Sequence, residues 1–257
     1  MTRRSLLPRE HGAYFQLGIP LITAYLRCAA NLAMLELTAA AGLAFLANEP
    51  LLVVLGHRGR RLYYQDGDRA RLSLAVLIPA AIALAVLGLL RAPWPAAAMA
   101  GVVAVPALAV FALAWRRAEH TCAGELIAAI ALTGAAAPVV IAGGMAPGAA
   151  LAMWLGWSLG FAATVLAVRR LIARHKRRAR APRALGWLLG PALVTAAIGC
   201  AVVGERVPEI AIAAPLAALA AVLVIAHPAA TRLRAIGVAI AVAAAGSGAV
   251  AMLGIAR

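Results

Sequence analysis

The chain has 257 residues, 65% of them apolar and 13% charged, with 24 Lys and Arg against nine acids. A soluble domain carries roughly 25% charge and about 45–50% apolar residues. This composition therefore excludes a water-soluble globule and makes lipid the solvent for most of the chain. The net charge of +15 fits nucleic acid on a first reading, but polytopic membrane proteins collect Lys and Arg in their cytoplasmic loops as orientation signals. That explanation suffices, and no nucleic-acid partner is expected.

Charge breaks and Gly/Pro punctuation divide the chain into nine apolar segments, near 12–28, 31–55, 73–90, 95–115, 123–144, 148–168, 185–204, 209–226 and 234–255. Each approaches the about 20 residues that cross a hydrocarbon core. The expectation is an all-α fold, a polytopic transmembrane bundle of about nine helices forming a single domain over 1–257. The first segment follows Arg3, Arg4 and Arg9, in the manner of a signal peptide. It holds Pro20 and Arg27 and shows no small-x-small cleavage site, so it reads as an uncleaved helix. Its mouth, Pro8-Arg9-Glu10-His11-Gly12-Ala13-Tyr14, is the first polar patch. His11 there is a candidate proton donor near neutral pH, and Tyr14 either touches a head group or anchors the helix in the interfacial aromatic belt. Glu36 and the Asn48-Glu49-Pro50 triplet interrupt the second segment, which leaves an eight-helix alternative open.

The loop expected from His57 to Arg69 is the second patch. It carries Arg58, Arg60 and Arg61, then Asp66-Gly67-Asp68. Two carboxylates one residue apart suit a hard cation such as Mg²⁺, while the surrounding guanidinium groups suit a phosphate held in bidentate fashion. Asp and Gly also make ordinary turns. Short connections at Arg91-Ala92-Pro93 and Ala146-Pro147-Gly148 favour antiparallel neighbours. The third patch, Arg116-Arg117-Ala118-Glu119-His120-Thr121-Cys122-Ala123-Gly124-Glu125, leads into the fifth segment. An acid just inside an apolar run is expensive unless it faces a polar interior; the alternative for Glu125 is an acid placed favourably at the positive end of a helix dipole. The fourth patch is the basic run from Arg169 to Arg183, including His175, of which Arg169 and Arg170 stand nearest the bundle. Attraction to anionic lipid accounts for the rest of that run. Cys28, Cys122 and Cys200 show neither a CxxC nor a metal-ligand spacing.

With the N-terminus inside, 20 cations fall on inside segments, and only Arg27, Arg91, Arg206 and Arg257 fall outside. The positive-inside rule then places the N-terminus in the cytoplasm and the C-terminus outside. Removing one helix would invert every later loop, so the split also supports nine. All five histidines, His11, His57, His120, His175 and His227, fall on the same side. A single lysine, Lys176, beside 23 arginines and abundant alanine suggests a GC-rich bacterial source, hence a bacterial cytoplasmic (inner) membrane.

The opening Leu7-Pro8-Arg9-Glu10-His11-Gly12-Ala13-Tyr14, with Pro20 downstream, resembles the start of the YwiC-like bacterial membrane proteins, and the Gly124-Glu125 entry fits the same family. The family implies a membrane protein and no known activity. Nine helices, an inside N-terminus and polar loops after helices two, four, six and eight are similar in layout to the UbiA superfamily of intramembrane prenyltransferases. That resemblance implies Mg²⁺ on two Asp-rich motifs holding an isoprenyl diphosphate. Asp66 and Asp68 occupy the first position without the full Asn-Asp-x-x-x-Asp spacing, and Arg169 to Arg183 holds no acid at the second.

Three functions are open at this point. One is a divergent UbiA-like protein, enzyme or not, that binds or modifies an isoprenoid or other anionic lipid in a cytoplasm-facing polar cavity. Arg60, Arg61, Tyr14, Arg117, His120 and Arg169 would bind the substrate; Asp66, Asp68, Glu125 and His11 would do chemistry, with Asp66 and Asp68 as metal ligands. The others are a transporter or lipid-exchange protein, for which Glu36 is the main feature, and a non-catalytic membrane scaffold.

Overall fold

The structure, a computed structural model, describes residues 6–8, 11–175, 192, 194–199, 202–203, 207–226, 228 and 233–253. Arg3, Arg4, Arg9, Glu10, the stretch from Lys176 to Arg183, His227 and Arg232 lie outside them, as do the side chains of His11, Arg174 and His175.

The described residues form helices and no strand. In chain order they are α1 (His11–Arg27), α2 (Leu32–Val54), α3 (Arg60–Arg91), α4 (Trp94–Trp115), α5 (Cys122–Gly134), α6 (Ala136–Ala142), α7 (Pro147–His175), α8 (Pro208–Ala211), α9 (Ala213–Ala226) and α10 (Leu233–Leu253). Seven spans are long and apolar enough to cross a membrane: α2, α3, α4, α5 with α6, α7, α8 with α9, and α10. The protein is a multi-pass transmembrane helical bundle. The 17-residue α1 precedes these spans, and the described part of the seventh expected segment, 194–199 and 202–203, is also helical.

Two expected segments are broken by a residue between two helices, and the cause is the same in both. Proline has no N–H to donate four residues back, and its ring presses on that carbonyl. Pro138 follows the end of α5 at Gly134 by four residues, and Pro215 follows the end of α8 at Ala211 by four. Pro20, Pro50, Pro79 and Pro106 stay inside continuous helices.

One expectation is overturned. The segment from Arg60 to Arg71, read as loop, is the first third of a 32-residue helix. At 1.5 Å per residue this helix is about 48 Å long, well beyond a hydrocarbon core of about 30 Å, so its polar N-terminal turns project past the membrane. They stay helical because Leu62, Gly67 and Ala70 are buried on one face, in line with Ala81 and Gly88 further along, where α3 lies against α2. Gly88 shows how close the approach is: an added Cβ would stand 2.8 Å from Leu37 and 3.2 Å from the Ala33 carbonyl oxygen. Small residues are how helices gain contact where lipid removes the hydrophobic drive between them.

At the centre stands α6, whose seven residues are all buried and which touches α1, α2, α4 and α7. Met34, Trp157, Phe161, Ile212 and Leu216 fill the space around it. Two polar contacts inside this core are made locally, while the indole N–H of Trp157 is buried without a partner among the described residues. Thr133 shares a 3.0 Å hydrogen bond with Ser158, and the Trp154 indole N–H donates to the Ile130 carbonyl at 2.9 Å. Gly134 makes room for that indole, since a Cβ there would stand 2.8 Å from the ring. At the start of α2, Asn31 accepts from the Met34 N–H at 3.0 Å and donates to the Ala142 carbonyl at 2.8 Å, tying α2 to the end of α6.

Asn31→Ala removes both bonds and is expected to cost about 2 kcal/mol, as a lost cap plus a lost bond to a part-buried carbonyl. Asn31→Asp keeps the capping oxygen and loses the amide donor, so it should cost about half as much. Denaturant unfolding in detergent micelles measures both.

Candidate functional site

Charged side chains gather at both ends of the bundle, and the two ends differ. At the end where α1 finishes and α2 begins, cations and acids are matched. Arg27 holds Glu209 at 3.0 Å, joining α1 to α8, and both are largely buried. Arg91, the last residue of α3, donates to both carboxylate oxygens of Glu36, at 2.7 and 2.9 Å. The intramembrane acid that stood for transport in the sequence therefore has a guanidinium partner.

The opposite end, where α2 runs into α3, α4 into α5, and α7 ends, is the basic end. Glu49 lies one turn inside α2 and is 1% exposed. A bare carboxylate there would be prohibitive. The chain answers by folding back: Gly56 (φ 74°) and Gly59 (φ 92°) adopt left-handed backbone, and this turn lays Arg58 over Glu49, with Nε to Oε1 at 2.9 Å and a second contact from Nη2 to Oε2. Bidentate pairing of this kind is the strong form of a charge-assisted bond.

The neighbouring residue reaches the other way. Nδ1 of His57 stands 3.3 Å from Oε1 of Glu119, in the turn between α4 and α5, with both side chains mostly buried; His120 Nε2 lies 4.0 Å from the same oxygen. That turn is tightly built. Thr121 caps α5 by accepting from the Gly124 N–H at 3.1 Å, and its hydroxyl donates to the Ala118 carbonyl at 2.7 Å. A Cβ at position 124 would fall 2.6 Å from the carbonyl oxygens of Ala118 and Glu119, so glycine is required there. From α7, Arg169 donates to the His120 carbonyl at 2.6 Å and places Nε 3.3 Å from Glu125 Oε2. Glu125, in the first turn of α5, thus has both a helix dipole and a guanidinium.

Eight of the ten expected site residues fall into three sets, and Tyr14 and His11 stand apart at the start of α1. Arg117, His120, Glu125 and Arg169 come together at the α4–α5 turn. Arg60 and Arg61 open α3 just beyond the His57–Arg58 turn and are exposed. Asp66 and Asp68 leave α3 about 200° apart, as residues two apart on a helix must. Asp66 shares the part-buried face of Leu62 and Ala70, whereas Asp68 points outward and pairs with Arg71 at 2.8 Å. Among the described residues no group of three or more His, Cys, Asp or Glu is placed to hold a metal ion, and these two carboxylates do not fit a shared Mg²⁺. Tyr14 turns its hydroxyl onto the Pro8 carbonyl at 3.1 Å and its ring edge onto Phe45. His11 opens α1; its side chain lies outside the described residues. Composition and spacing do not reveal that Arg58 pairs with Glu49 or that His57 stands beside Glu119. The nearest signal is an acid next to Pro50 inside an apolar run, with a cation nine residues on.

What remains is an imbalance. Glu49, Glu119, Glu125 and Asp68 each have a cationic or histidine partner, while Arg60, Arg61, Arg116 and Arg117 are exposed and make no ion pair with any described acid. Arg117 holds a left-handed backbone, φ 56°, where a helix end ordinarily has glycine.

Arg58→Met leaves the Glu49 carboxylate buried without its bidentate partner and is expected to cost about 3 kcal/mol or more. The double change Glu49→Leu with Arg58→Met should recover most of that loss, because it removes both charges. Unfolding in detergent compares the two.

The sequence model of the YwiC-like protein family matches residues 7–141. No curated protein and no solved structure matches the chain. The match runs from the segment before α1 nearly to the end of α6, more than half of the chain, and takes in the Tyr14 entry, the Glu49–Arg58 fold-back and the Gly124 turn; this protein belongs to the YwiC-like family.

Proposed function

We propose that this protein binds a lipid with an anionic head group, an isoprenoid phosphate or a phospholipid, at the cytoplasmic face of a bacterial cytoplasmic membrane. The observation that carries the reading is the charge imbalance at the basic end. Among the described residues Glu49, Glu119 and Glu125 are already engaged and Asp66 is the one acid of this end without an ion pair, so the four exposed guanidinium groups of Arg60, Arg61, Arg116 and Arg117 outnumber the acid left to meet them. Each such cation near an anionic leaflet contributes about 1 kcal/mol, and guanidinium forks match phosphate geometry. The 20-to-4 distribution of cations in the sequence supports a cytoplasmic position for this end and for the N-terminus. Arg169 and His120 support the turn that carries Arg117. Asp66, with no ion pair to a described residue, is the acid left free to handle a proton, whereas Asp68 and Glu125 are neutralised by Arg71 and Arg169.

The test is thermal unfolding of the full chain in a neutral detergent, with a short-chain phosphatidic acid, an isoprenyl diphosphate, inorganic pyrophosphate or a short-chain phosphatidylcholine added. A ligand that binds the folded state raises the midpoint with concentration. Phosphatidic acid or the isoprenyl diphosphate should stabilise and phosphatidylcholine should not. Stabilisation by pyrophosphate alone would assign the site to a free phosphate; equal response to the neutral lipid would overturn the reading. Arg60→Gln with Arg61→Gln should weaken the response by about 30-fold in concentration, two cations at about 1 kcal/mol each.

Arg117→Gly separates binding from folding. Glycine accepts the left-handed conformation without strain, so the lipid-free protein should gain about 1 kcal/mol of stability while its response to the anionic lipid weakens. The same titration reads both signs.

A further inference from the structure

The four arginines that make no ion pair with a described acid sit at the ends of two particular helices. Arg60 and Arg61 begin α3, and Arg116 and Arg117 directly follow α4. These helices are consecutive and joined by two residues, Ala92 and Pro93. Antiparallel helices with so short a connection ordinarily pack side by side, yet α3 and α4 barely touch. The seam of Gly67, Ala70, Ala81 and Gly88 draws α3 onto α2, while Ala96, Met99, Val103 and Ala114 are the buried positions of α4, which lies on α5 and α6. Both helices are left with exposed apolar faces: Leu72, Val76 and Ile82 on α3, and Val105, Leu108 and Phe111 on α4.

From this arrangement we propose that the gap between α3 and α4 is a lateral cleft for the hydrocarbon chain of an anionic lipid, whose head group lies against Arg60, Arg61, Arg116 and Arg117. The inference rests on the head-group reading above and adds where the chain goes. Charge decides between the two occupants an apolar gap in a membrane can have. A second copy of this protein, inserted in the same orientation about an axis normal to the membrane, would bring its own four arginines to the same level, and like charges at that distance repel. A lipid brings apolar chain to the exposed faces and negative charge to the arginines.

The experiment uses the full chain in nanodiscs of phosphatidylcholine containing a trace of phosphatidic acid with a photoactivatable diazirine in its acyl chain, followed by mapping of the labelled peptides. The same preparation is tested for competition by unlabelled phosphatidic acid. The expected result is labelling of α3 around Leu72–Leu90 and of α4 around Val102–Phe111 at several times the level on the exposed residues of α7. Excess phosphatidic acid should suppress it and added phosphatidylcholine should not, and Arg60→Gln with Arg61→Gln should reduce it several-fold. Labelling spread evenly over the outward helix faces, with competition by phosphatidic acid intact, would overturn the cleft and leave the head-group reading standing. Labelling concentrated instead in the apolar crevice of about 360 Å³ lined by Leu159, Leu166 and Ala217 would overturn it equally. Loss of all competition by phosphatidic acid would overturn both readings. Crosslinks between two copies of the chain through α3 or α4 would give the gap to a dimer.

Discussion

A carboxylate can stay inside a bundle solvated by lipid only beside a cation, and much of this structure follows from that constraint. Glu36, Glu49 and Glu209 are mostly buried, and each has a guanidinium within ion-pair reach. Breaking one such pair leaves a buried charge and is far more costly than the net worth of the pair. The pairs also do mechanical work. They connect elements remote in sequence, α1 with α8 and α7 with α5, at the ends of helices whose middles are held by weak interhelical bonds such as Thr133 with Ser158. Once the acids are engaged, the remaining cations define what the basic end presents to its surroundings.

Close packing supplies the second constraint. Lipid tails are as apolar as the helix faces, so helices adhere where backbones approach closely and not wherever leucines meet. The seam at Gly88 brings α3 to α2, and Gly134 and Gly143 admit the Trp154 ring and the side chains of Cys28 and Met34 around α6. A helix that lacks such a seam toward a neighbour has no reason to lie against it. That accounts for α3 and α4 parting although two residues join them.

The helical spans and the basic end were legible because both report directly on the solvent. Runs of about 20 apolar residues are a consequence of lipid, and the arginines that cluster between those runs mark the ends of the helices. The start of α3 was not legible. Arg60 to Arg71 is crowded with charge and contains Asp-Gly-Asp, which matches turn chemistry; its buried face, Leu62, Gly67 and Ala70, is too sparse to declare a helix without α2 beside it. Reading it as a loop put Asp66 and Asp68 in one chelating turn, and the helix sets them on different sides. The charge pairs were hidden for another reason. Arg27 finds Glu209 across 182 residues, and Arg91 finds Glu36 across 55, and composition carries no record of such distances. Gly124 was visible as a feature of the family resemblance; its reason, two carbonyl oxygens 2.6 Å from any Cβ, is visible only in the fold.

An excess of arginine on one side of a membrane protein is usually explained by insertion alone, and insertion does account for the number. It does not account for the placement. An orientation signal depends on how many cations lie near the helix ends, and any loop position in any backbone conformation serves it. Arg117 is one of some 20 such residues, yet it occupies a left-handed position that costs a β-carbon-bearing residue about 1–2 kcal/mol and suits glycine. Arg60 and Arg61 stand in the first turn of α3, where a helix dipole disfavours cations. Both placements run against local preference and both lie at the ends of the two helices that stand apart, which is the placement that the proposed anionic lipid would use and that an orientation signal does not require.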